Sequence, residues 1–150
     1  MLIICPSFCH DYSLQYEISY DVMSRIVEIS YDEISDLRDF IVSLNASSGV
    51  VIVEGKRDTA ALKSLGCSQQ ILEFHRFRGM TKFVDSVSDK NLILLFDSDR
   101  KGNYLARKVI EQLERRTRID LTYKKRLMQI TRGKISAIEE LVQYEDFLNQ

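Results

Sequence analysis

Three short β-branched or leucine-rich runs constrain this chain more than any other feature: "VVIV" at 50–53, "ILEF" at 71–74 and "LILLF" at 92–96. Such a run predicts a strand covered on both sides, the pattern of a parallel sheet between helical layers. The segments between the runs have helical spacing. Ala61, Leu62 and Leu65 are closed by Gly66, then Met80, Phe83, Val84 and Val87 form a second stripe, and Leu105, Val109, Ile110 and Leu113 a third. "IDLTY" at 119–123 alternates instead and predicts an edge strand. Four strands separated by three helices imply right-handed βαβ crossovers. The expected fold class is therefore α/β, Rossmann-like, with a four-stranded parallel sheet flanked by helices.

The flanks read as helical additions. Ser30 and Glu33 stand in capping-box spacing ahead of an apolar stripe of Ile34, Leu37, Ile41 and Leu44. After Tyr123 an amphipathic stretch around Leu127 and Ile130 is followed by "ISAIEELVQYEDFL", also helical in pattern. The expected organisation is a partly helical N-terminal extension (1–47), an α/β domain (48–123) and a helical tail (124–150) packed on that same domain. Residues 1–20 give mixed signals. One proline and six glycines leave little room for linkers.

No apolar stretch approaches the ~20 residues that span a bilayer, and "MLIICPSFCHD" lacks the basic start of a secretory signal. The expectation is a soluble cytoplasmic protein without membrane contact. Cys5, Cys9 and Cys67 are odd in number and form no CxxC unit, which predicts free thiols; Cys5, Cys9 and His10 lack a fourth ligand for zinc.

The chemistry concentrates where apolar runs end. "LILLFDSDRKGN" sets Asp97 and Asp99 directly after one predicted strand, and Glu54 follows another in "VVIVEGKRD". Ligands of open parallel sheets sit beyond the carboxyl ends of the strands. With strand order 2-1-3-4, the first and third strands are neighbours and three carboxylates meet at one rim. Adjacent carboxylates repel and lose hydration unless something positive lies among them. Mg²⁺, with Mn²⁺ as a substitute, is the simplest such charge, because it takes oxygen ligands and keeps waters for substrate phosphates.

Near matches to other motifs fail. "GVVIVEGK" has five residues between its glycines where a P-loop has four, and Arg57 stands where Ser or Thr would hold Mg²⁺. "DSDRKGN" has Lys101 at the fifth and Lys108 at the twelfth position of a calcium loop. A phosphatase-type DxDx[TV] motif would need a hydroxyl or small apolar residue at Lys101.

Taken together, "VVIVEGKRDTAAL" and "NLILLFDSDRKGNYLARKVIEQL" resemble the Toprim family, the catalytic module of type IA and type II topoisomerases, bacterial-type primases and a group of nucleases. Glu54-Gly55 after one strand, Asp97-x-Asp99-x-x-Gly102 after another, and Gly79 in "FRGMTKF" carry the likeness, over roughly 48–123. The length resembles the short free-standing archaeal Toprim proteins, some likened to the ribonuclease that matures 5S ribosomal RNA. The resemblance implies that Glu54 acts as general acid or base and touches metal, and that Asp97 and Asp99 hold Mg²⁺ against a phosphodiester. Topoisomerase versions usually place an acid where Lys101 stands, and 150 residues hold neither a strand-passage clamp nor template-handling domains. Phosphodiester hydrolysis of structured RNA or DNA remains. The alternatives are a non-catalytic nucleic-acid-binding subunit of a larger assembly, and a small-molecule phosphotransfer or phosphatase enzyme.

The charge distribution bears on the same question. Residues 100–134 carry twelve basic and three acidic side chains, whereas 1–49 carry two basic and eight acidic. Such a segment is either a phosphate-facing surface or a solvated face paired with the acidic N-terminal region. Lys56, Arg57, Arg100 and Lys101 flank the acids as phosphate contacts, and Lys124, Lys125 and Arg126 extend them. Asp58 and Thr59 read as helix caps. Tyr104, Tyr123 and Tyr144 show no aromatic-basic interleaving of the kind found in RNA-recognition sheets. A protein partner or a homodimer is compatible with all of these features.

Overall fold

A computed structural model of the chain describes residues 29–88 and 90–150. Cys5, Cys9 and His10 lie outside the described residues. The chain divides into two compact units, 1–33 and 34–150. This differs from the boundary expected at 47/48. Helix α1 (Tyr31–Ala46) runs across the division, and its Leu37, Phe40 and Leu44 are fully buried in the larger unit. The Ser30 hydroxyl accepts the Glu33 amide at 3.2 Å, one half of the predicted capping box.

The larger unit is α/β. It contains β1 (Val50–Val53), α2 (Lys56–Ser64), β2 (Ile71–Glu73), a 3-10 turn (Phe74–Arg76), α3 (Met80–Val87) and β3 (Leu92–Leu94). These are followed by α4 (Arg100–Leu113), β4 (Ile119–Asp120), α5 (Thr122–Ile130), a 3-10 segment (Ile138–Tyr144) and α6 (Glu145–Leu148). All pairings are parallel and the order is β2-β1-β3-β4. That order makes β1 and β3 neighbours, as the carboxylate arrangement requires.

Both sheet faces are covered, which is why the central strands β1 and β3 carry no polar residues. Ile52, Leu92, Leu94 and Phe96 pack with Phe83, Val84 and Val87 of α3 and with Val109 and Leu113 of α4. The alternate strand residues Val51, Val53, Ile93 and Leu95 are also buried, and α1, α2, α5 and the C-terminal segment contribute Phe40, Leu62, Leu127 and Leu141. Complete burial of a leucine or phenylalanine side chain stabilises by about 1.5–3 kcal/mol.

Element ends follow local chemistry. Gly66 has φ +95 and closes α2, with the Cys67 amide donating back to the Leu62 carbonyl at 3.0 Å. The predicted edge strand at 119–123 is shorter than its alternation suggested. The Asp120 carboxylate accepts the Thr122 amide at 2.8 Å, an Asx turn that ends β4 and starts α5. α5 therefore crosses the expected boundary at 123/124. The tail is a 3-10 segment and a short helix where one longer helix was expected. Tyr144 is fully buried, so the tail is part of the packed unit.

Candidate functional site

The site lies at the carboxyl ends of β1 and β3. Glu54 follows β1 and is buried, and its Oε1 accepts the backbone amide of Asp97 at 3.3 Å, joining positions 43 residues apart in the chain. Asp97 is half-buried and accepts the Ile138 amide at 2.8 Å. Asp99 is exposed and caps α4, accepting the Gly102 amide at 2.6 Å. Each expected acid is at the rim, and each accepts a backbone amide.

The electrostatics follow from their proximity. Burial raises the Glu54 pKa, the Asp97 and Asp99 charges raise it further, and Lys101 partly offsets them. Burial likewise raises Asp97, with Asp99 and Glu139 adding to the shift, while the Ile138 amide and Lys124 pull it down. Carboxylates in this condition hold protons more readily than free ones, the property needed for proton transfer near neutral pH.

The positive charge demanded by these acids is supplied in part by Lys124. Its Nζ donates to the Asp97 carbonyl at 3.0 Å and to Asn103 Oδ1 at 3.2 Å. Burial lowers its pKa, whereas Asp97, Glu54 and Asp99 act to raise it. Lys124 is thus directed into the carboxylate site and away from Lys125 and Arg126. Those two line a cleft of about 510 Å³ with Ser43, Asp120, Tyr123 and Gln129, and the Arg126 guanidinium lies 5.9 Å from the centre of the Phe40 ring. The three consecutive cations therefore do not form one surface.

Lys56, Arg57, Arg100 and Lys101 are exposed around the rim. Arg57 pairs at 3.6 Å with Glu139. Gly102 is required by packing: a Cβ there would collide with the Asp97 carbonyl oxygen and lie 2.8 Å from Glu54 Oε1. Gly79 has φ +108 and caps α3, a conformation that favours glycine. Gly55 is extended and donates its amide to Asp58 at 2.9 Å.

Two acids were missed in the sequence. Asp58 is the helix cap expected of it, but it is also buried, with its pKa raised by burial and by the Asp97 and Glu139 charges. Its position four residues after Glu54 was a local signal. Glu139 and the Ile138 amide come from the tail, and no local pattern marks a contact across 41 residues.

Among the described residues, no three His, Cys, Asp or Glu side chains are arranged to hold a metal ion. That excludes a closed cage among them, such as structural zinc requires. It does not bear in the same way on Mg²⁺, which usually uses one or two carboxylates and completes its shell with waters and substrate phosphates. Asp97 and Asp99 have the oxygen chemistry and solvent access for that role.

No family model matches the chain. Curated relatives do. A UPF0292 protein of Thermococcus sibiricus is 34% identical over 106 residues, covering 70% of this chain and 84% of the relative. One of Thermococcus onnurineus is 36% identical over 104 residues, covering 69% and 78%. A solved structure of a protein from Aquifex aeolicus matches with a TM-score of 0.60 at 28% identity, covering 69% of this chain and 96% of that one. No helix among the described residues is long and apolar enough to cross a membrane.

Proposed function

We propose that this chain, which belongs to the UPF0292 protein family, hydrolyses nucleic-acid phosphodiesters with Mg²⁺ at the rim formed by Glu54, Asp97 and Asp99. The observation that carries this reading is the contact of Glu54 Oε1 with the Asp97 amide across neighbouring strands. Three acids crowded at the ligand-binding end of a parallel sheet have no sufficient role in folding alone, and they match the Toprim-like pattern of the sequence.

Asp97 and Asp99 would hold Mg²⁺, which supplies neutralisation of phosphate charge and activation of water. Glu54, protonated more readily than a free glutamate, passes a proton to or from the attacking or departing oxygen. Lys124 limits repulsion among the acids while the site is free of phosphate. Arg100 and Lys101, in the first turn of α4, face the approaching backbone together with that helix's N-terminal amides.

Labelled RNA and DNA incubated with Mg²⁺ or Mn²⁺ test this reading. The parent should cleave, and Glu54→Gln should lose at least about 10²-fold in rate while still binding. Tight binding without cleavage by the parent would favour a non-catalytic subunit, and monoester hydrolysis that survives Glu54→Gln would favour a phosphatase.

A further inference from the structure

We infer that the exposed face of α4 is a docking track for single-stranded nucleic acid, with Tyr104 as the platform on which an unpaired base stacks. This rests on the reading that the adjoining rim acts on a nucleic acid, and it adds a preference for an unpaired strand. The sequence shows no interleaving of aromatic and basic residues as written, but the helix produces it. At 100° per residue, Arg100, Lys101, Tyr104, Arg107 and Lys108 fall within about 120° of one another, opposite the core-facing Gly102, Val109 and Leu113. Tyr104 stands near the middle of this cationic face.

Tyr104 is 55% exposed. The other two tyrosines considered for stacking are committed elsewhere: Tyr144 is fully buried, and the Tyr123 hydroxyl donates to the Ser43 carbonyl at 3.1 Å while its ring meets Phe40 edge-on. Lys108 Nζ lies 5.7 Å from the Tyr104 ring centre, and its Glu111 pair at 3.1 Å is the only ion pair on this face among the described residues. Arg100, Lys101 and Arg107 make none among the described residues. Exposed cations around an open aromatic ring, Arg100 and Arg107 among them without an ion pair among the described residues, complement a chain of phosphates carrying bases, each base having a face to stack.

Position relative to the rim supports the same occupant. Asp99 is the N-cap of α4, and Tyr104 follows five residues later, about 7 Å along the axis at ~1.5 Å per residue. A strand laid on this face with a base on Tyr104 therefore runs to the N-terminal end of α4, where Asp99 is exposed, while Glu54 and the Asp97 carbonyl lie behind Gly102 on the opposite side of the helix. A duplex keeps its bases stacked inside and offers the ring nothing to stack on.

The test is fluorescence anisotropy of labelled oligouridine, oligothymidine and duplex, without divalent cation, so that binding is read apart from cleavage. Tyr104→Ala should weaken binding to both single strands by about tenfold, Tyr104→Phe should bind like the parent, and duplex binding should be unchanged by either. A loss confined to one single strand would assign the track to RNA or to DNA. The chain contains no tryptophan, so Tyr104→Trp adds a sole reporter whose emission should be quenched by bound oligonucleotide. Equal single-strand affinity for parent and Tyr104→Ala, or an unquenched Tyr104→Trp at saturation, overturns the track and leaves the nuclease reading standing. A parent that binds no nucleic acid overturns both, whereas Tyr104-dependent binding without cleavage upholds the track and sinks the nuclease.

Discussion

The first turn of α4 separates two regions of opposite character. On one side Glu54, Asp58 and Asp97 are wholly or partly buried and held by backbone amides of Asp97, Gly55 and Ile138. On the other, Arg100, Lys101 and Arg107 are exposed and form no ion pairs among the described residues. The two sides differ in burial and in partners, not only in charge. On the proposed function, the groups that would meet at one point are fixed by strand ends and caps, at an electrostatic cost met locally by Lys124, while the cations that would take a phosphate chain stand in solvent.

If that division holds, substitutions on the two sides should differ in kind. The largest effect on folding is expected at Gly102→Ala, since the added methyl meets the Asp97 backbone, which has little freedom to move. A loss of about 1–3 kcal/mol in denaturant unfolding is expected, and an unchanged midpoint would show that the rim is looser than described. Next comes Lys124→Met, which removes the hydrogen bonds to Asp97 and Asn103 and leaves the acids less compensated. It should cost about 1–2 kcal/mol by the same measurement. A more stable variant would mean that burying this amine costs more than its contacts return.

The smallest effect on folding is expected at Arg107→Ala, within about 0.5 kcal/mol of the parent, as for most surface changes. Its signature lies elsewhere, in a shallower salt dependence of nucleic-acid affinity, by about one charge in the log-log slope. A stability loss at Arg107 as large as that at Lys124 would erase the comparison.

Much of this arrangement was legible in the chain. Continuous apolar runs have few places to go except a sheet covered on both faces, so four parallel strands and the adjacency of Glu54 and Asp97 followed from pattern and topology. The alternation of "IDLTY" misled because Asp120 prefers to cap the next helix, and a side-chain turn of that kind competes with strand extension over only two residues. Glu139 and the Ile138 amide could not be read, because they reach Asp97 through tertiary packing of a tail whose own pattern shows only that it is amphipathic. The direction of Lys124 escaped for a related reason: three consecutive cations look alike in sequence, but helical rotation sends Lys124 to the acids and its neighbours to another cleft.

The account's central claim is that the Glu54, Asp97 and Asp99 rim receives a divalent cation. Crystals soaked in Mn²⁺ test it most directly, through anomalous density collected on the parent and on Asp97→Asn. The account predicts a peak within about 2.0–2.5 Å of Asp97 and Asp99 carboxylate oxygens, weakened or lost in the variant. A fully soaked parent crystal with no anomalous peak at that rim, or with its Mn²⁺ bound only elsewhere, would contradict it.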